Sequence, residues 1–210
     1  MTRVLLFLFL TMNLVAQSQN KGNYILIINN DSISIDLNQP AKHQTAAGAT
    51  LDIQLVQPSI LTYSDDMISF KHHKSLGVSN TKIQTGIEQC MILKSTGNGF
   101  MVQKYSTIDP SSLTQLMLNE ITKESISYGY TKKEKAFRKK LKSGQTIKGI
   151  QATLSYKGEE QIFTVATYGE KDQGIVVVTI LINEEFKDDA QIIDLFLDTL
   201  RINDNKATRM

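Results

Sequence analysis

The chain has 210 residues, with 23 Lys+Arg against 21 Asp+Glu, one Cys, three Pro and no Trp. At 41% hydrophobic and 21% charged residues it is neither disordered nor fibrous, and a net charge of +2 does not by itself point to nucleic acid. The lone Cys90 excludes an intramolecular disulfide framework and any multi-Cys zinc or iron–sulfur site; a body of this length buries roughly 70% of its unfolded surface and needs neither.

Arg3, the apolar run Val4–Leu10 and a small Ala16 before polar Gln17-Ser18-Gln19-Asn20 have the pattern of a secretory signal peptide over residues 1–16. Thr11 and Asn13 interrupt the run, and a membrane span needs about 20 apolar residues. The mature chain is therefore expected to start at Gln17 and not to be a transmembrane protein. No Cys follows the hydrophobic core, which excludes the usual bacterial lipid attachment. The expected location is the periplasm or the exterior.

Residues 17–57 read as an N-terminal β extension. Tyr24–Leu37 is two apolar runs around Asn29-Asn30-Asp31, the pattern of a β-hairpin. Asn38–Thr50, polar and carrying Pro40 and Gly48, reads as a loop or linker. Leu51, Ile53 and Leu55 alternate as a strand. In residues 58–203, Tyr63-Ser64-Asp65-Asp66 is turn chemistry and Ile68 and Phe70 form a short strand. Ser75–Gly86 reads as loop. Ile87–Lys94 and Phe100–Thr107 are strands joined by Ser95-Thr96-Gly97-Asn98-Gly99, where Asn-Gly suits a tight turn. Asp109-Pro110 caps a helix, whose apolar face is Leu113, Leu116, Met117 and Ile121, and Gly129 ends it. From Ile147 the period returns to two, and a Lys157-Gly158 turn leads to Gln161–Tyr168. Ile175–Ile182 is apolar on both faces, so layers are expected above and below it. Asp188 and Asp189 open a last helix with the stripe Ile192, Ile193, Phe196, Leu197 and Leu200, its first acids favoured by the dipole. Residues 204–210 read as a disordered tail.

The segments Phe100–Pro110, Gly169–Ile182 and Asp189–Ile202 together resemble the PsbP-like superfamily. That group spans the extrinsic photosystem protein, the Ran-binding Mog proteins and secreted bacterial relatives of the DcrB type. The resemblance covers about residues 68–203 and rests on hydrophobicity and turn patterns. It implies an α+β fold, an α/β/α sandwich around an antiparallel sheet, here with the N-terminal hairpin added. It also implies a non-enzymatic role in binding or assembly. No functional residue transfers, because that family has no shared catalytic motif to match.

The residues able to carry chemistry are few. His72-His73 on a strand point to opposite faces, and His43 lies in a stretch with no acidic neighbour in sequence, so a zinc site with its three or four ligands is not expected. No cofactor is implied. Neither a Gly-x-Ser-x-Gly elbow, a phosphate-cradling glycine loop nor a His-Glu-x-x-His pair is present. A Cys90 nucleophile needs exposure and a base, and Gln89–Leu93 reads as a strand that buries it. Asn30-Asp31-Ser32 matches a glycosylation sequon, for which the turn is explanation enough.

One segment departs from the rest. Thr131–Lys142 carries Lys132, Lys133, Lys135, Arg138, Lys139, Lys140 and Lys142 against a single Glu134, a net of +6. With the mature chain at +1, everything else totals −5. The plain reading is a solvated helix or loop, with Phe137 and Leu141 holding a short helix down. The functional reading is an electrostatic contact surface for a protein or an anionic envelope component. Nucleic acid is not expected, since only Phe137 interleaves for stacking. An internal partner is also on offer in Glu184, Glu185, Asp188, Asp189, Asp194 and Asp198. The expected function is an exported, non-enzymatic binding or assembly-accessory protein. A hydrolase with an unrecognised site, or a structural envelope component pairing through an exposed strand edge, is the alternative.

Overall fold

A run as apolar as Ile175–Ile182, broken only by Thr179, has no face to offer water and must lie between two layers. A computed structural model describes residues 22–182 and 187–203, and there this run sits at the centre of a sheet. The expected signal peptide and tail, and Glu184 and Glu185 of the acidic segment, lie outside the described residues. The chain divides into two compact units between Gln57 and Pro58.

In the first unit, strands β1 (Tyr24–Ile28) and β2 (Asp31–Ile35) pair antiparallel. β3 (Pro40–Gln44) and β4 (Thr50–Gln54) form a second antiparallel pair. The expected linker over 38–50 thus contains a strand. Its sequence, Pro-Ala-Lys-His-Gln, has no apolar alternation to announce it. The strand is made by the turn: the Gly48 amide donates to the Thr45 carbonyl and the Thr45 amide to that of Ala49, both at 2.8 Å, with Gly48 at φ +82. The same folding brings His43 Nε2 to 3.2 Å from Asp31 Oδ2, so His43 has an acidic partner that linear order conceals.

The second unit holds β5 (Ile60–Ser64), β6 (Ile68–His73), β7 (Ser79–Gln84), β8 (Ile87–Leu93) and β9 (Gly99–Tyr105). A short 3-10 turn (Pro110–Leu113) and helix α1 (Thr114–Tyr128) follow, then β10 (Thr131–Lys140), β11 (Thr146–Tyr156), β12 (Glu159–Glu170) and β13 (Gln173–Ile182). Helix α2 (Lys187–Thr199) and a short β14 (Arg201–Ile202) end the described chain. Seven strands form one antiparallel sheet in the order β10-β11-β12-β13-β9-β8-β7. β14, β6 and β5 form a smaller antiparallel sheet.

Alternation along β13 assigns its side chains to two cores. Val176 and Val178 pack with Leu118 of α1, and Ile175 and Val177 pack with Phe196 of α2. Helix α1 therefore covers one face of the sheet and α2 the other. On the α2 face the Phe100 and Phe196 rings stack at 3.7 Å between centroids, with Phe70 of β6 edge-on to both. This layer is a helix together with the three-stranded sheet, a mixture not present in a plain α/β/α reading.

The cap and turn chemistry works as its residue types dictate. Asp109 Oδ1 accepts from the Ser111 amide at 2.8 Å. Gly129, at φ +116, closes the C-terminus of α1 in the left-handed conformation. Lys157 (φ 49) and Gly158 (φ 87) make the two-residue turn between β11 and β12. At the β8–β9 turn the positive φ values belong to Gly97 and Gly99, not to Asn98. Asn98 is instead fully buried. It accepts from the Ile182 amide at 2.6 Å and donates to Asp189 Oδ2 at 2.8 Å and to the Ile182 carbonyl at 3.2 Å. Asp189, also buried, takes further bonds from Lys94 and from Thr96 Oγ1. Burial works against its charge, but these donors outweigh it and hold its carboxyl below the usual range. Asn98→Ala leaves the Ile182 groups and Asp189 short of partners. An expected loss of about 1–3 kcal/mol should appear in urea unfolding, and an unchanged midpoint would deny Asn98 this role.

The expected loop over 75–86 contains β7. All six of its residues are exposed, so no period-two signal exists, and its pairing to β8 is a backbone matter.

Candidate functional site

The basic segment Thr131–Lys142 is not a helix or a loop. Its first ten residues are β10, laddered to β11 from Thr131↔Ser155 to Lys140↔Thr146. The period-two pattern is hidden because lysines occupy both faces. β10 is a terminal strand of the large sheet, so among the described residues one of its backbone edges has no neighbouring strand.

Strand geometry divides the cations. Lys132, Arg138 and Lys140 share the α1 face with Glu134. Lys132 Nζ donates to Asn119 Oδ1 of α1 at 3.1 Å and pairs with Glu134 at 2.7 Å. Lys133, Lys135 and Lys139 share the α2 face with Phe137, which packs on the core beneath α2. Lys139 Nζ reaches Asp198 of α2 at 2.5 Å and holds that carboxyl below its usual range. Leu141 is buried, and Lys142 lies exposed just past the strand. Phe137 and Leu141 thus anchor a strand end rather than a helix. Among the described residues the side chains of Lys133, Lys135, Arg138, Lys140 and Lys142 have no hydrogen-bond or ion-pair partner. Of the expected internal pairing with the acidic last helix, Lys139 makes the one ion pair among the described residues, with Lys142 adding a weaker pull on the same Asp198, while Asp189 turns inward to Lys94.

On the α1 face the strand borders a groove of about 770 Å³. Its walls include Ser111 and Thr114 at the start of α1, Arg138 of β10, Thr146 and Lys148 of β11, and Thr167 of β12. Arg138 and Lys148 are directly opposite in register, and both are exposed. Like charges so placed repel. Gly149 lets β11 lie tightly against β12, since a Cβ there would stand 1.9 Å from the Val165 carbonyl oxygen. Lys148 and the three threonines are invisible to a reading by charge runs. The only available signal is the turn at Leu141–Gln145, where the Leu141 amide donates to the Gln145 carbonyl at 2.8 Å; this sets the register that brings Lys148 to Arg138.

A second polar cluster lies on the opposite face. Lys104, 5% exposed, bonds Asp65 at 2.7 Å and Glu88 at 3.0 Å. Tyr63 donates to Asp65 Oδ2 at 2.9 Å and lies 2.7 Å from Asn80 Oδ1. Asp65 also takes the amides of Met67 and Ile68 at 2.9 Å. Burial opposes the Lys104 charge, yet the bonds to Asp65 and Glu88 hold its ammonium above the ordinary lysine value. Cys90 is fully buried nearby, and burial, with Asp65, pushes its thiol up to about 12. His72 Nδ1 bonds the His73 carbonyl at 3.0 Å and His73 Nδ1 bonds Ser75 Oγ at 2.8 Å, so the two rings do not converge. Among the described residues no three His, Cys, Asp or Glu side chains gather as a metal site. No described helix is long and apolar enough to cross a membrane.

No family model and no curated protein matches the chain. Among solved structures it is similar to the solution structure of cyanobacterial PsbP (CyanoP) from Synechocystis sp. PCC 6803. The two share 12% identity at a TM-score of 0.44, over 69% of this chain and 92% of that one.

Proposed function

We propose that the chain is an exported, PsbP-like α/β/α protein of the bacterial envelope that binds an anionic partner through β10 and catalyses no reaction. Export is supported by Arg3 and the apolar core Val4–Leu10. Protein recovered from the envelope should begin at Gln17 or within a few residues of it by intact mass, and an uncleaved chain in the membrane pellet would reject export.

The contact surface is carried by one observation: among the described residues, five of the seven cations of the segment make no side-chain hydrogen bond or ion pair. An internal ion-pair network would have engaged them. Edge protection is the competing account, because lysines blunt a strand edge against pairing with other chains. Charge reversal separates the two, since glutamates protect an edge as lysines do. Lys133, Lys135 and Lys140 changed together to Glu should leave melting nearly unchanged, exposed charges being worth about 0–1 kcal/mol. Sedimentation with envelope fractions should fall, and its dependence on salt should flatten, given a screening length of about 8 Å at physiological ionic strength. Unchanged sedimentation would leave β10 as a protected edge only.

A further inference from the structure

We infer that the groove between β10, β11, β12 and the start of α1 is a binding site for a phosphate-type oxoanion. Arg138 and Lys148 face each other across the β10–β11 ladder, and neither side chain has a hydrogen-bond or ion-pair partner among the described residues. Edge protection does not explain the pair, because Lys148 lies on β11, which is paired on both sides. Nor does internal neutralisation. Glu134 on this face is paired with Lys132 at 2.7 Å, and the Asp109 carboxylate, beside Gly169 at the groove wall, stays anionic but bonds the Ser111 amide and hydroxyl rather than either cation. Two adjacent like charges with no acid between them are relieved by a bound dianion.

The remaining walls suit the same ligand. Thr146 adds a hydroxyl donor to the planar fork of Arg138 and the compact ammonium of Lys148, while the Ser111 hydroxyl bonds Asp109 and the Thr114 hydroxyl bonds the Ser111 carbonyl. A tetrahedral oxoanion presents several acceptor oxygens to such a set and can carry two charges against the two cations. A single carboxylate neutralises only one of them. At about 770 Å³ the groove has room for the group that carries the phosphate, which is a soluble phosphomonoester or a lipid headgroup. This inference deepens the reading of β10 as an anion-facing surface and rests on it for Arg138 alone.

Inorganic phosphate titrated into the full mature chain at constant ionic strength, against chloride and acetate, is the direct probe. Amide NMR shifts of Lys148, Gly149 and Thr167 should move saturably with phosphate and scarcely with acetate. Arg138→Gln with Lys148→Gln should weaken the response about tenfold or more, while Lys133→Gln with Lys135→Gln, on the opposite face, leaves it intact. Vesicles containing phosphatidic acid, compared with neutral vesicles, separate the sources. Binding there that Arg138→Gln with Lys148→Gln abolishes identifies a headgroup, and phosphate binding without vesicle binding identifies a soluble ligand. Absence of any saturable phosphate shift, or equal weakening in both double variants, overturns the site. Loss of envelope sedimentation in the Lys133, Lys135 and Lys140 reversal is read separately, so either conclusion can fail alone.

Discussion

Val178→Asp is expected to abolish the folded state. Val178 is fully buried in the central strand, between Val165 of β12 and Met101 of β9 in register. It faces Leu118 and the α1 layer. The cluster offers a carboxylate no cation, and its Tyr105 and Tyr130 hydroxyls already donate to Gln103 and Glu159; an unpaired buried charge is a named route to losses above about 4 kcal/mol. That is a large share of the roughly 5–15 kcal/mol that holds a domain. Soluble expression should collapse. Because that outcome is silent on mechanism, Val178→Ala serves as the graded test. It removes two methyl carbons from a closed core and should cost about 2 kcal/mol with the fold retained. Near-native melting of Val178→Asp would show that β13 is not covered on the α1 face.

Removing the Lys104 ammonium is the second large effect. Lys104→Ala leaves Asp65 and the partly exposed Glu88 without the cation that faces them. Breaking a buried pair from one side costs about 3–5 kcal/mol. Asp65→Asn should restore part of that loss. It removes the orphaned charge while keeping Oδ1 as acceptor for the Met67 and Ile68 amides. A double-mutant cycle by urea unfolding reads this as coupling, and strict additivity would mean that the two side chains do not act together. The pH dependence follows from the same contacts. Burial opposes the Asp65 charge, but the Lys104 ammonium, the Ile68 and Met67 amides and the Tyr63 hydroxyl outweigh it and hold the carboxyl below its ordinary value. Its contribution is therefore complete above the unfolded value of about 3.9 and is lost as pH falls through the lower folded one. Asp65→Asn should flatten the acid limb of the stability curve below about pH 4. Lys104, held high, contributes fully below about pH 10.4 and loses that contribution only as pH rises through its raised folded value.

Some of this was legible in the linear chain. Ile175–Ile182 announced a strand with two covered faces, because apolar side chains on both sides of a pleat have no other stable environment. Asp109-Pro110 and Gly129 marked the ends of the helical segment through backbone chemistry alone, since a cap and a left-handed glycine act within a few residues. The stripe Ile193, Phe196 and Leu200 announced the buried face of α2 in the same way. These are local signals, set by one residue's own φ/ψ preferences or by a single period.

Other features depended on partners distant in sequence. β3 and β7 have almost no apolar alternation, so their pairing is supplied by turns and neighbouring backbones. Thr131–Lys142 shows its charge in sequence but not its conformation. The ladder to β11 makes it a strand, and that geometry divides six of the seven cations between two faces and seats Phe137 and Leu141 in the core beneath α2. Asn98 reads as a turn residue until 84 positions of separation close and it meets the Ile182 backbone. Lys148 has no sequence neighbour to recommend it, and register alone sets it opposite Arg138. Composition and periodicity determine which segments must be buried and where helices begin and end. Which charges stand free, which are neutralised, and which face each other across a groove is decided by long-range pairing, because Coulomb and hydrogen-bond energies depend on distances that only the folded chain defines.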